Sequence, residues 1–130
     1  MEVEIKTAPF HHISLSSGAA FINTKDLDTG ETVPNIPQRT YDLGLHYDDE
    51  KSFKALLMGH AIYWNSFPSF QGKYNSFIFD LHVTKIIYTR GEHALEAFGD
   101  IHNIFNGSQY PLAIYVNPER WLEAGIRYMF

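Results

Sequence analysis

The stretch RTYDLGLHY, residues 39–47, alternates without a break. Tyr41, Leu43, Leu45 and Tyr47 fall on one side of an extended chain, and Thr40, Asp42, Gly44 and His46 on the other. A period of two marks a strand with one apolar and one polar face, whereas a helix repeats every three to four residues. Working outward, the pattern recurs. In 11–23, Ile13, Leu15, Ala19 and Phe21 oppose His12, Ser14, Ser16 and Gly18; in 74–89, Phe77, Phe79, Leu81 and Val83 oppose Ser76, Asp80, His82 and Thr84. In 120–130, Leu122, Ala124, Ile126, Tyr128 and Phe130 are in phase, with Glu123, Gly125 and Arg127 between them. The stretch FKALLMGHAIYWN, 53–65, is apolar on both sides apart from Lys54 and His60. In 94–105, Glu96, Asp100 and His102 share a polar side, and Ala97 and Gly99 give the other side little bulk.

With 2–8 added, seven strands are expected, joined by connectors at 9–10, 25–38, 48–52, 66–73, 90–93 and 106–119. They run short, long, short, long, short, long. Short connectors permit only neighbour pairing, so the expected fold is all-β, an antiparallel up-and-down meander in one domain, 1–130. Sorting of loops by length between two ends is a feature of outer-membrane barrels, with tight periplasmic turns and longer extracellular loops. Tyr41, Tyr47, Tyr63, Trp64, Tyr74, Tyr88, Trp121 and Tyr128 fall near strand ends, as interfacial aromatic girdles do. The fold is therefore read as part of a transmembrane β-barrel, an open curved sheet when isolated.

Composition narrows the function classes. Ten Phe, eight Tyr and two Trp, an aromatic share of 15%, suit pleated surfaces. A net charge of −5 argues against a nucleic-acid partner, since too few cations are available to neutralise phosphates. The absence of Cys excludes disulfides and thiolate metal sites. The opening MEVEIKTAPF lacks the basic and apolar regions of a secretory signal, and no stretch reaches the roughly 20 apolar residues of a membrane-crossing helix. Spanning strands need only about 9 to 11 residues each, so composition leaves a barrel open.

No catalytic motif is found: there is no phosphate loop, nucleophile elbow or triad. Glu96, Asp80, Asp100 and Glu123 read as polar-wall carboxylates rather than acid–base pairs. His46, His60, His82 and His102 share the polar face, and lining of a polar wall accounts for them without a metal. No metal or other cofactor is expected. The DLDTGE run, 26–31, lacks the ligand spacing of a calcium loop and reads as a loop tip turning on Asp28, Thr29 and Gly30.

Four segments then carry a resemblance. NIPQRTYDLGLHYDD, FKALLMGHAIYWN, HNIFNGSQY and NPERWLEAGIRYMF together resemble the carboxy-terminal barrel strands of TonB-dependent outer-membrane receptors. In that family an Asn-x-Pro-x-x-Thr-like element opens a strand, matched by Asn35, Pro37 and Thr40. An Asn-Leu/Ile-Phe-Asn/Asp-x-x-Tyr element closes the penultimate strand, read here on Asn103, Ile104, Phe105, Asn106 and Tyr110, and a Pro-Arg-Trp-like element precedes the last strand, matched by Pro118, Arg120 and Trp121. The resemblance implies a receptor for energised uptake of a scarce ligand, such as a siderophore, haem, cobalamin or another metal chelate. It also implies an outer-membrane location and lipid contact. Family barrels have roughly 22 strands, so the chain is expected to be a receptor's tail, without plug or TonB box and not transport-competent alone. The TonB complex would be met only through the missing plug. Phe130, Tyr128 and Ile126 resemble the signal read by the barrel-assembly machinery, and Asp80, His82, His60, Glu123 and Arg127 are expected to face the lumen. The ligand-contact residues are not legible. A small soluble β-barrel with its apolar face turned inward around an apolar ligand is the alternative.

Overall fold

The computed structural model describes residues 1–34, 36–65, 73–74, 77–110 and 116–130, with Lys73, Tyr74 and Tyr110 described by backbone alone. Nine strands are present among the described residues: β1 Glu2–Lys6, β2 Ile13–Phe21, β3 Pro37–Asp48, β4 Phe53–Trp64, β5 Lys73–Tyr74, β6 Ile78–Arg90, β7 His93–His102, β8 Gln109–Tyr110 and β9 Trp121–Met129. Seven of them form one sheet in the order β1-β2-β3-β4-β6-β7-β9, every neighbouring pair antiparallel. The meander expected from the alternation is the fold observed. The ladder of β5 and β8 is separate, so Tyr74 does not extend β6 as the sequence suggested. Ser76 and Asn35 lie outside the described residues.

Short turns collect at one end of the sheet. Phe10 and Ile13 exchange backbone hydrogen bonds of 2.8 and 3.0 Å around His11 and His12, whose φ angles are 47° and 69°. Two left-handed central residues make the mirror-image turn that matches strand twist. His11 and His12 are thus turn residues, not the start of β2 as expected; histidine is among the side chains that tolerate this region. Between β6 and β7, Gly91 takes φ of 60° at the first central position, so pairing reaches Arg90 and His93. At the opposite end, the β2–β3 connector turns on Asp26, whose Oδ1 accepts the Asp28 and Thr29 amides at 2.9 and 2.8 Å, with Gly30 at φ 72°.

The turn between β3 and β4 is organised by one carboxylate. Asp49 Oδ1 accepts the amides of Lys51, Ser52 and Phe53 at 2.8, 2.7 and 2.8 Å. The Phe53 and Lys51 amides foremost hold its carboxyl at about 2, below the ordinary 3.8. A depressed folded-state pKa stabilises the fold above the unfolded value, and that contribution is lost as pH falls from about 3.8 towards 2. Asp49→Asn retains an accepting oxygen, so it should flatten the pH dependence of Phe53 amide exchange in this window. Asp49→Ala should raise that exchange at every pH. Equal pH profiles for the wild-type chain and the Asp49→Asn variant would contradict the assignment.

Register assigns the faces. One cross-strand row runs Leu15, Leu45, Leu57, Leu81, Ile101, Leu122, aliphatic from β2 to β9. Val3, Leu43, Phe79, Ala97 and Ile126 lie on the same face, and Phe77 precedes β6 two residues before Phe79. A bulge between Ile86 and Tyr88 shifts the β6–β7 register by one, which turns Tyr88 onto the apolar side opposite Leu95. No large side chain is fully buried among the described residues; Ala61, 1% exposed, and Ile78 are the buried apolar residues. A globular domain buries its sheet under a second layer. Here the apolar face stands open, with Leu43 44% and Leu122 72% exposed.

Candidate functional site

The sheet's two faces make the site. The apolar face is bordered by aromatic rings near both strand ends. At the long-connector end, Phe21 contacts Tyr41 and Tyr41 contacts Tyr63, with ring centroids 6.0 and 5.9 Å apart. At the short-turn end Tyr47 meets Phe53 at 5.9 Å, and Tyr128 lies between His93 and Phe130 at 5.8 and 5.9 Å. Tyr88 joins this end through the bulge. Trp121 departs from the expected girdle: register places it opposite His102 on the polar face, where its ring stacks on the imidazole at 3.8 Å. Tyr74's side chain lies outside the described ones.

Between the rings the face is mostly aliphatic, with Ser17 and Lys85 among its members. The Phe79 ring lies over Gly59, so close that a Cβ there would sit 2.5 Å from it. The small residue gives the aromatic room to lie flat across β4.

Register places all five lumen candidates, Asp80, His82, His60, Glu123 and Arg127, on the opposite, polar face. It brings some of them together. His82 Nδ1 lies 2.5 Å from Asp100 Oδ1, and His102 Nδ1 lies 3.7 Å from Asp80 Oδ1. Glu123 is the cross-strand neighbour of Asp100 on β9. Arg127 sits further along β9, bonded to Glu96 Oε1 at 3.0 Å with its guanidinium 5.8 Å from the Phe98 ring centroid. His60 stands apart on β4, opposite Asp42. His46 Nε2 bonds Ser16 Oγ at 3.0 Å.

The crossed His–Asp pairs were present in the sequence as a repeated triplet, Asp80-Leu81-His82 and Asp100-Ile101-His102. Antiparallel pairing of two such triplets sets each His against the other strand's Asp. Counting back from the Gly91 turn misses this, because the bulge at Ile87 must first shift the register by one. Each imidazole is thereby matched to one carboxylate, and among the described residues no group of three or more His, Asp or Glu could hold a metal ion.

The HNIFN element has a structural role. β7 ends at His102, so Ile104 and Phe105 lie in the connector rather than in the strand as expected. Asn103, 4% exposed with φ 49°, donates from Nδ2 to the carbonyls of Gly107 at 3.0 Å and Pro118 at 2.8 Å. Its Oδ1 accepts the Gly107 amide at 2.7 Å, and its own amide donates to Asp80 Oδ1 at 2.8 Å. The connector is thus tied to the polar face at its root. Gln109 then extends β4's partnership beyond β6: its Oε1 accepts the Ile62 amide at 2.7 Å and its Nε2 donates to the His60 carbonyl at 3.2 Å.

Comparison with protein-family models, with curated proteins and with solved structures finds no match to this chain. The arrangement has two unlike faces, one mostly apolar with aromatic borders and Lys85 among its members, the other a lattice of His, Asp, Glu and Arg.

Proposed function

We propose that the chain forms a stretch of the wall of an outer-membrane β-barrel, its apolar face against lipid and its polar face lining the lumen. The observation that carries this reading is the apolar face itself, which runs from β2 to β9 with Ser17 and Lys85 as polar members, is bordered by aromatics and is covered by no second layer among the described residues. An exposed apolar surface of this extent belongs against membrane or partner. The aliphatic row adds support: it leaves β2 near its short-turn end, at Leu15, and reaches β9 near its long-connector end, at Leu122. Barrel closure requires such stagger of register against strand direction. The long connectors would then be extracellular and the short turns periplasmic.

On the motifs quoted above, the barrel is that of a TonB-dependent receptor, and the ligand taken up is a scarce one such as a siderophore, haem, cobalamin or other metal chelate. The TonB complex would act through a plug region, and these strands would supply wall rather than catalysis. Phe130, Tyr128 and Ile126, at the short-turn end of β9, would form the signal read by the barrel-assembly machinery; Phe130 is 91% exposed and so open to recognition. The soluble-barrel alternative needs the apolar face turned inward and the sheet closed, whereas β1 and β9 are its outer strands.

Dispersal tests the reading. Refolded from urea into plain buffer, the chain should sediment, because its apolar face meets water. In zwitterionic detergent micelles it should stay dispersed with a β-type circular dichroism spectrum. A monodisperse protein in detergent-free buffer at high concentration would overturn the membrane reading in favour of the soluble barrel.

A further inference from the structure

Strand parity limits how this sheet can be extended. Seven strands alternate in direction, so β1 and β9 run the same way, from the long-connector end to the short-turn end. β9 of one copy can meet β1 of a like-oriented copy only as a parallel pair. An antiparallel junction between copies requires a two-fold axis at one edge, joining β9 to β9 or β1 to β1.

Side chains distinguish these edges. Along β9, pairing centred on Gly125 uses all nine residues. It sets Glu123 against the partner copy's Arg127 and, by symmetry, Arg127 against the partner copy's Glu123. On the other face Leu122 meets Tyr128 and Ala124 meets Ile126. Charges and apolar groups are thus complementary on both faces at once. β1 has five residues. Centring it on Glu4 opposes Glu4 to itself, and centring it on Ile5 matches Glu4 with Lys6 but engages only the strand's last three positions. We propose that β9 is a self-complementary edge, and that the chain pairs through it with a second copy, antiparallel about Gly125.

The axis is normal to the sheet, so the two apolar faces stay on one side and merge. In a bilayer the same axis would turn one copy upside down. The pair therefore belongs to the chain before insertion, and insertion must break it. The proposal stands on the edge strand, whichever solvent meets the apolar face.

Paired charge reversals test it, by sedimentation equilibrium in whichever medium, micelles or buffer, keeps the chain dispersed. Glu123→Arg alone places four cations along the junction, and Arg127→Glu alone places four anions. Each should weaken self-association about tenfold or more. An equimolar mixture of the two should restore wild-type association, since every pair is then again opposite in sign. Arg127→Glu also removes the bond to Glu96 within its own sheet, so a second measurement leaves the charges alone. Because the chain has no cysteine, oxidation of an Ala124→Cys and Ile126→Cys mixture should give a linked pair. A Val3→Cys and Ile5→Cys mixture should not. A wild-type chain that stays monomeric at all concentrations, folded reversal variants whose mixture fails to associate, or linkage through β1 instead would overturn the proposal.

Discussion

Leu43→Arg should lower partition of the chain into didecanoyl phosphatidylcholine vesicles by about 30-fold or more, while Asp42→Arg, one residue away, changes it less than about threefold. Leu43 stands in the middle of β3 on the apolar face, between Ser17 and Gly59 in register, with Phe79 next beyond Gly59. In a barrel wall that position is near the bilayer midplane, where an arginine costs about 2–4 kcal/mol. Asp42 is on the polar face, opposite His60, where an arginine meets water. Flotation of vesicles with bound chain measures both. The contrast separates lipid from water as the neighbour of this face. On a sheet whose apolar side met only water, Leu43 is already 44% exposed, and the substitution would move stability by about 0.5 kcal/mol or less. Equal partition of the two variants would therefore remove the lipid assignment while leaving the fold intact.

The two faces were legible because strand periodicity is set by the backbone alone. Tyr41, Leu43, Leu45 and Tyr47 had to share a side once 39–47 was extended, and each neighbouring strand had to present its own apolar side there to continue the surface. What could not be read was anything resting on a departure from that period. The extra residue at Ile87 changes no hydrophobic pattern strongly enough to be noticed in sequence, because Ile86, Ile87 and Tyr88 are all apolar. It nonetheless decides which face Tyr88 joins and whether the two Asp-x-His triplets meet. His11 and His12 were misplaced for a related reason. Their side chains extend the alternation of β2 by one polar position, and only the left-handed backbone places them in the turn. Trp121 shows a third limit: a girdle inferred from nearness to strand ends takes no account of which face an aromatic occupies.

Loss of the Asn103 side chain should destabilise the sheet by about 3 kcal/mol, as much as loss of a large core side chain in a globular protein. The reason lies in what it leaves behind. In Asn103→Ala the Gly107 amide and the carbonyls of Gly107 and Pro118 lose this partner, and a buried backbone group left unmet costs about 1–3 kcal/mol. The Gly107 and Pro118 carbonyls each keep a bond from Asn117 Nδ2, at 2.8 and 3.2 Å, and Pro118 is exposed, which holds the total below the sum of three such penalties. Alanine must also adopt φ of 49°, a region asparagine tolerates better. Asn103→Gly removes the same hydrogen bonds without that strain, so it should be less damaging than alanine by about 1 kcal/mol. Asn103→Asp keeps an acceptor for the Gly107 amide but turns a carboxylate oxygen towards two carbonyls, so it should rank with alanine or below it. The expected order of urea midpoints in micelles is Asn, then Gly, then Ala and Asp. Trp121 begins β9 just beyond the connector and stacks on His102, next to Asn103, so tryptophan emission should fall in step with circular dichroism if the connector and sheet unfold together. An alanine variant within about 1 kcal/mol of wild type would mean that water replaces the amide at all three groups. The connector would then be held by the Asn103 and Ile104 backbone amides on Asp80 and Phe79 together with Asn117, Asn106 and Gln109.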